Sequence, residues 1–179
     1  MANALRPALD LLTQYALYHR DKRNIATHVV GVPMIVFAVG VLLAHSTWQL
    51  GRVSVTPAGL LFAAFVLWSL TRGAFALNLV SCAFVGVLMW LAHDVANTST
   101  VQWLSWGLGS FVLGWIIQFV GHYYEGRKPA FVDDLTGLIV APMFVVLEVM
   151  APLGMFTGLM QDVERVAGPV RLRNLAHPA

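Results

Sequence analysis

"VVGVPMIVFAVGVLLA", residues 29–44, runs for sixteen positions without a charge. Extended back to Ile25, a helix rising 1.5 Å per residue spans a bilayer core of about 30 Å. Pro33 lies near its start, where a missing N–H costs least. The polar segment "HRDKRN" (19–24) precedes it, and Asn24 is a suitable N-cap for a helix beginning "IATHVV". A run of this length and polarity places the chain in a membrane.

Outward from it, the apolar runs recur. "AGLLFAAFVLWSL" (58–70) is short, which predicts a helix that starts earlier or sits shifted in depth. Only Thr71-Arg72-Gly73 separates it from "AFALNLVSCAFVGVLMWLA" (74–92), so the two form a tight helical hairpin. "VQWLSWGLGSFVLGWIIQFVG" (101–121) carries Trp103 and Trp106 as an interfacial belt, with Gly107, Gly109 and Gly114 as small surfaces for close helix approach. The fifth run, "LIVAPMFVVLEVMAPLGMF" (138–156), is interrupted by Pro142 and Pro152 and holds Glu148. Before the first run, Leu5, Leu9, Leu12, Ala16 and His19 recur at helical spacing, which predicts an amphipathic helix over Pro7 to His19 on the membrane surface. The expected fold is an all-α integral membrane bundle. It has four full spans, a fifth proline-broken segment and the N-terminal amphipathic helix. Residues 1–24 form the interfacial segment, 25–152 the embedded bundle and 153–179 a polar, basic, loosely ordered tail.

Composition agrees. The 179 residues are 58% hydrophobic and 11% charged, where soluble domains carry about 25% charged residues. A net charge of +2 without a basic stripe excludes nucleic acid as a partner. The bilayer is the partner the composition names. The lone Cys82 lies in an apolar run and reads as a packed small hydrophobe. No continuous apolar leader precedes the first run, so the first span is expected to do its own targeting.

Loop charge then sorts the chemistry. Arg6, Arg20, Lys22 and Arg23 before the first span, Arg72 after the second, and Arg127 with Lys128 after the fourth all fall on one side, with Arg52 opposite. The basic side is expected to be cytoplasmic. His19, His28 and His122 share that face with Glu125, Asp133 and Asp134, whereas His45 and His93 lie across the membrane. Imidazoles and carboxylates gathered at helix ends are what a metal site needs. In "GHYYEGRKPA" (121–130), His122 and Glu125 are three apart on one helical face. The carboxylate can share a metal or orient the imidazole. Asp133 and Asp134 read as caps of the fifth helix, and Arg127 and Lys128 as inside anchors. Glu148 lies deep in an apolar run, which is either a functional placement or a kinked helix reaching water. No nucleophile elbow, phosphate-cradling loop or Cys-x-x-Cys occurs.

"YHRDKRNIATHVVGVPMIVF" (18–37) together with "QFVGHYYEGRKPA" (118–130) resembles the fungal-type 2-hydroxy fatty acid dioxygenase family of small multi-pass membrane proteins, over roughly Tyr15 to Pro152. The resemblance implies an Fe(II)-dependent enzyme without an organic cofactor. Its substrates would be a 2-hydroxy fatty acid and O2, and its product a fatty acid one carbon shorter. It makes His19, His28 and His122 the expected iron ligands. Glu125 becomes a ligand or the partner of one, and Asn24 a residue that orients a ligand or water. Arg127 or Lys128 would neutralise the substrate carboxylate, and Glu148 is a further candidate at the substrate. A bacterial inner membrane is the expected location, or an endoplasmic reticulum membrane if the chain is eukaryotic. Two other readings stay open at this level. One is a zinc site in the same place, hydrolytic or structural. The other is a transporter or scaffold without chemistry, in which Asn78 and Glu148 would matter most.

Overall fold

Asp21 starts the first long helix, α2 (Lys22–Ala44), by accepting the Arg23 backbone N–H at 2.9 Å. Asn24, the expected cap, lies one turn inside and is fully buried. The aspartate takes the capping place because Arg23 also fixes its carboxylate from the side, at 2.9 and 2.7 Å. The computed structural model describes residues 4–175. Around α2 it arranges α1 (Ala8–Ala16), a hairpin of β1 (Trp48–Leu50) and β2 (Val53–Val55), α3 (Pro57–Leu70), α4 (Phe75–Ala96) and α5 (Thr100–Glu125). The short α6 (Ala130–Asp133), then α7 (Thr136–Met150), a 3-10 turn (Ala151–Leu153) and α8 (Thr157–Ala167) complete it.

The protein is an all-α bundle. Among the described residues, four stretches are by length and composition long and apolar enough to cross a membrane: α2, α4, α5, and 136–153, which comprises α7 and the 3-10 turn. By path, α2, α3, α4 and α5 carry the chain between the two ends of the bundle, as the four expected spans do, while both ends of α7 lie at one end, as the expected proline-broken segment would. The second run does not start earlier, because Thr56 caps it through the Gly59 N–H and Pro57 fixes its first turn. At 14 residues α3 rises about 21 Å, short of the hydrocarbon core. The connector before it is not plain loop. Trp48 pairs with Val55 and Leu50 with Val53 across a turn in which Gly51 has φ +64°.

The helices run up and down between two ends. At one end the α3 terminus meets the N-terminal layer, where Arg72 O accepts the Ala8 N–H and Ala4 O accepts the Trp68 indole N–H. At the other, the His45 Nδ1–H donates to Ala96 O at 3.0 Å and its ring stacks on Trp103. Trp103 is thus a packing residue, whereas Trp106 is 56% exposed. Both ends of α7 are tied to the first of these layers. Gly137 packs on Ala130 and Tyr15, and Glu148 pairs with Arg20.

Close approach of α2 and α5 positions the site. A Cβ on Gly31 would meet Gly114 O at 3.0 Å, and one on Gly121 would collide with Thr27 and Asn24. Gly107 packs against Leu42, but Gly109 faces open space, so the useful small residues are Gly107, Gly114 and Gly121 rather than the expected trio. Helix α1 buries Ala8, Leu11, Leu12, Tyr15 and Ala16 against α7 and α8, leaving Leu5 and Leu9 outward. The apolar stripe therefore lies one flank over from the expected one, because two helices cover it rather than a lipid surface alone.

The expected loose tail contains α8, whose Val163 is fully buried. Beyond it, the Arg171 N–H donates to Arg20 O and Arg171 O accepts the Lys22 N–H. His177, the tail histidine, lies outside the described residues. Cys82 is buried beside Ser69, as expected of a packed thiol.

Candidate metal centre

The turn between α1 and α2 is held rigid before any histidine is considered. Glu125, at the last residue of α5, reaches across to it. Its Oε2 accepts the backbone N–H of Arg20 at 2.9 Å, that of Asp21 at 2.8 Å and the Asn24 side-chain N–H at 3.0 Å. Arg20, 4% exposed, turns inward and donates to Ala16 O, His19 O, Gly168 O and Glu148. These bonds tie the end of α1, the start of α2, and helices α5, α7 and α8 to one short loop.

That loop presents His19 to His28 and His122. One ligand atom from each of the three imidazoles lies within 4.8 Å of the others, and all three residues are buried. His19 Nε2 and His28 Nε2 are 3.0 Å apart. His19 Nδ1 lies 2.7 Å from Tyr15 O, and His28 Nδ1 2.8 Å from Asn24 O. A carbonyl only accepts, so each Nδ1 carries the proton and each neutral ring turns its Nε2 lone pair toward the other. Two lone pairs at 3.0 Å repel unless a cation stands between or beside them. Burial and the neighbouring His28 hold His19 well below the usual histidine pKa, which keeps it in the neutral, ligating form. His122 Nδ1 is buried without a hydrogen-bond partner. Tyr15 stacks flat on His19, with ring centroids 4.1 Å apart, and fixes its plane. The donor set suits a transition metal held by nitrogen.

Glu125 does not join this group. Its carboxylate orients the loop that carries His19, and it reaches Asn24, whose backbone carbonyl holds His28. Asn24 thus touches both the carboxylate and a candidate ligand, and its Oδ1 is buried without a partner.

The remaining expected site residues are employed elsewhere. Arg127 donates to Leu17 O, Lys128 pairs with Asp133, and Glu148 pairs with Arg20 at 3.0 Å. None of the three lines the cavity described below. Asp134 caps Thr136 as expected, whereas Asp133 accepts the Tyr18 hydroxyl. Asn78 donates to Ser69 O and Gly73 O, tying the α3–α4 hairpin.

An apolar cavity of about 600 Å³ opens from the histidines into the bundle. His28 and His122 stand at its head, and Val39, Leu61 and Met89 line it further in. Gln118, one helical turn before His122, also lines it. Sequence reasoning passed over Gln118. The available signal was its place in an apolar run, four residues from His122 and so on the same helical face.

A profile of the Mpo1-like family, described as 2-hydroxy-palmitic acid dioxygenase Mpo1-like, matches residues 6–153. The 2-hydroxy-palmitic acid dioxygenase MPO1 of Saccharomyces cerevisiae is 33% identical over 177 residues, covering 93% of this chain and 94% of the yeast protein. No solved structure matches the chain.

Proposed function

The chain belongs to the Mpo1-like family, and from that premise we propose that it is a membrane-embedded Fe(II) dioxygenase of 2-hydroxy fatty acids. The observation that carries the reading is the pair of opposed Nε2 lone pairs, joined by His122, at the head of an apolar cavity. His19, His28 and His122 would hold the iron, which when bound supplies the O2 chemistry that side chains lack.

The chain's own residues do the rest. Tyr15 O and Asn24 O fix the two imidazole tautomers. Glu125 and Arg20 lock the loop between the helices. The cavity takes the acyl chain and keeps water from it, while the acid end stays with the histidines. In the overall reaction the bond between C1 and C2 breaks, O2 is reduced, and an acid one carbon shorter leaves with CO2 and water. Charge bias puts the histidine end on the cytoplasmic side, and an inner membrane is the proposed location.

The test is metal analysis of protein purified in detergent without chelator under reducing conditions, followed by O2 uptake with 2-hydroxypalmitate. About one iron per chain and release of the fifteen-carbon acid are expected. Both should be lost in H19A, H28A and H122A. Zinc at full occupancy with no O2 uptake after iron reconstitution would overturn the reading.

A further inference from the structure

Gln118 is 5% exposed, and its amide makes no hydrogen bond among the described residues. Its Oε1 is buried without a partner. A buried amide left unpaired is costly, and a leucine of similar size would fill the place without that cost. The residue nevertheless lines the cavity, four residues from His122 on the same face of α5. It therefore marks the boundary between the histidine head and the apolar bore. Apart from Gln118 the polar-bearing walls of the bore are Tyr15, His28, His122 and the indoles of Trp68 and Trp115. The indoles offer donors but no acceptor, and Trp68 already donates to Ala4 O. The two imidazoles belong to the metal group.

We infer that Gln118 is a substrate-binding residue that reads the hydroxy-acid head of the ligand. This rests on the function proposed above. A primary amide offers one acceptor and two donors. The acceptor suits a hydroxyl O–H and the donors a carboxylate oxygen, so a 2-hydroxy acid satisfies the amide from both sides. A plain fatty acid leaves the acceptor unpaired. Selection for the hydroxyl then comes from the cost of that unpaired oxygen, which is how sites reject analogues lacking a polar group. Gly31 supports the placement, since its missing Cβ leaves room for the Gln118 side chain, which a Cβ would meet at 3.2 Å.

The experiment compares wild type with Q118L and Q118N in detergent micelles. Displacement of a fluorescent fatty acid by 2-hydroxypalmitate and by palmitate is measured without O2, together with iron content and melting temperature. In wild type 2-hydroxypalmitate is expected to displace the probe at least about tenfold better than palmitate, the scale of one hydrogen bond to a charged or buried group. Q118L should erase most of that preference with iron content kept and melting temperature equal or higher. Q118N, one methylene shorter, should retain part of it. An unchanged preference in Q118L overturns the inference, as does a Q118L that melts lower with its preference intact, which would make Gln118 a packing residue. If wild type turns over 2-hydroxypalmitate yet shows no preference between the acids, the inference fails while the function stands. If wild type neither binds nor turns over the hydroxy acid, both fail together.

Discussion

Glu125 shows how one residue holds a centre it does not belong to. Three N–H groups converge on its Oε2, two of them from the backbone immediately after His19. Glu125→Ala leaves those buried donors unpaired, so stability should fall by about 3 kcal/mol. Metal affinity should fall roughly 10–100-fold, the usual consequence of losing a group that orients a ligand. Denaturant melts with and without added iron check both, and affinity unchanged from wild type would show that the loop holds itself. Asp21 gives a second, pH-dependent expectation. Hydrogen bonds from the Arg23 side chain, then from the backbone of Arg173 and Arg23, lower its pKa from 3.8 to about 2. A depressed folded-state pKa adds stability that is present above the unfolded value and lost as pH falls through the folded one. Melting temperature should therefore drop between about pH 4 and pH 2, and Asp21→Asn should flatten that limb while lowering stability at neutral pH.

Among the elements, the Arg20–Glu148 pair joins the loop before α2 to α7. Side-chain exposures of 5% and 9% make it a buried pair. Removing one partner strands the other charge, and such changes cost about 3–5 kcal/mol. Glu148→Gln should lower the melting temperature and loosen His19, read as faster iron loss to a chelator. Arg20→Met with Glu148→Leu should regain the part lost to the stranded charge but not all of the stability, because the Ala16, His19 and Gly168 carbonyls that Arg20 also serves lose their donor. A double variant no more stable than either single one would count against the pair as the source of the effect. The same helices show what was legible in the sequence. Runs of apolar residues revealed α2, α4 and α5 because period and length survive any packing. Loop charge alone assigns the three histidines to one end, and there their rings meet. Asn24 was misread because a local capping rule cannot see Glu125, which is 101 residues away in sequence and draws the amide inward. The β1–β2 hairpin was missed although its alternation and Gly51 were visible, and α8 was missed because its buried face exists only in contact with distant segments, α1 foremost.

For the whole molecule, the bundle is built around a space rather than a filled core. Helices α2, α3, α4, α5 and α7 all contribute walls to the 600 Å³ cavity, and the histidines close one end. From His28 to Val39 along α2 the bore runs about 16 Å, at 1.5 Å per residue. Its far end is defined by side chains of ordinary size: Val39, Leu61 and Met89. An acyl chain held by its head at the histidines must therefore end near these residues, and its length is read there. Val39→Phe fills part of that end without touching the metal group or the loop that holds it. Iron content and melting temperature should stay close to wild type, while preference moves toward shorter 2-hydroxy acids. Relative rates for acids from ten to eighteen carbons measure this directly, with the longest losing most, by about tenfold or more, as overpacking a bound chain costs over 1 kcal/mol. A uniform loss across all lengths would instead mean that the acyl chain leaves the bundle sideways into lipid before it reaches Val39.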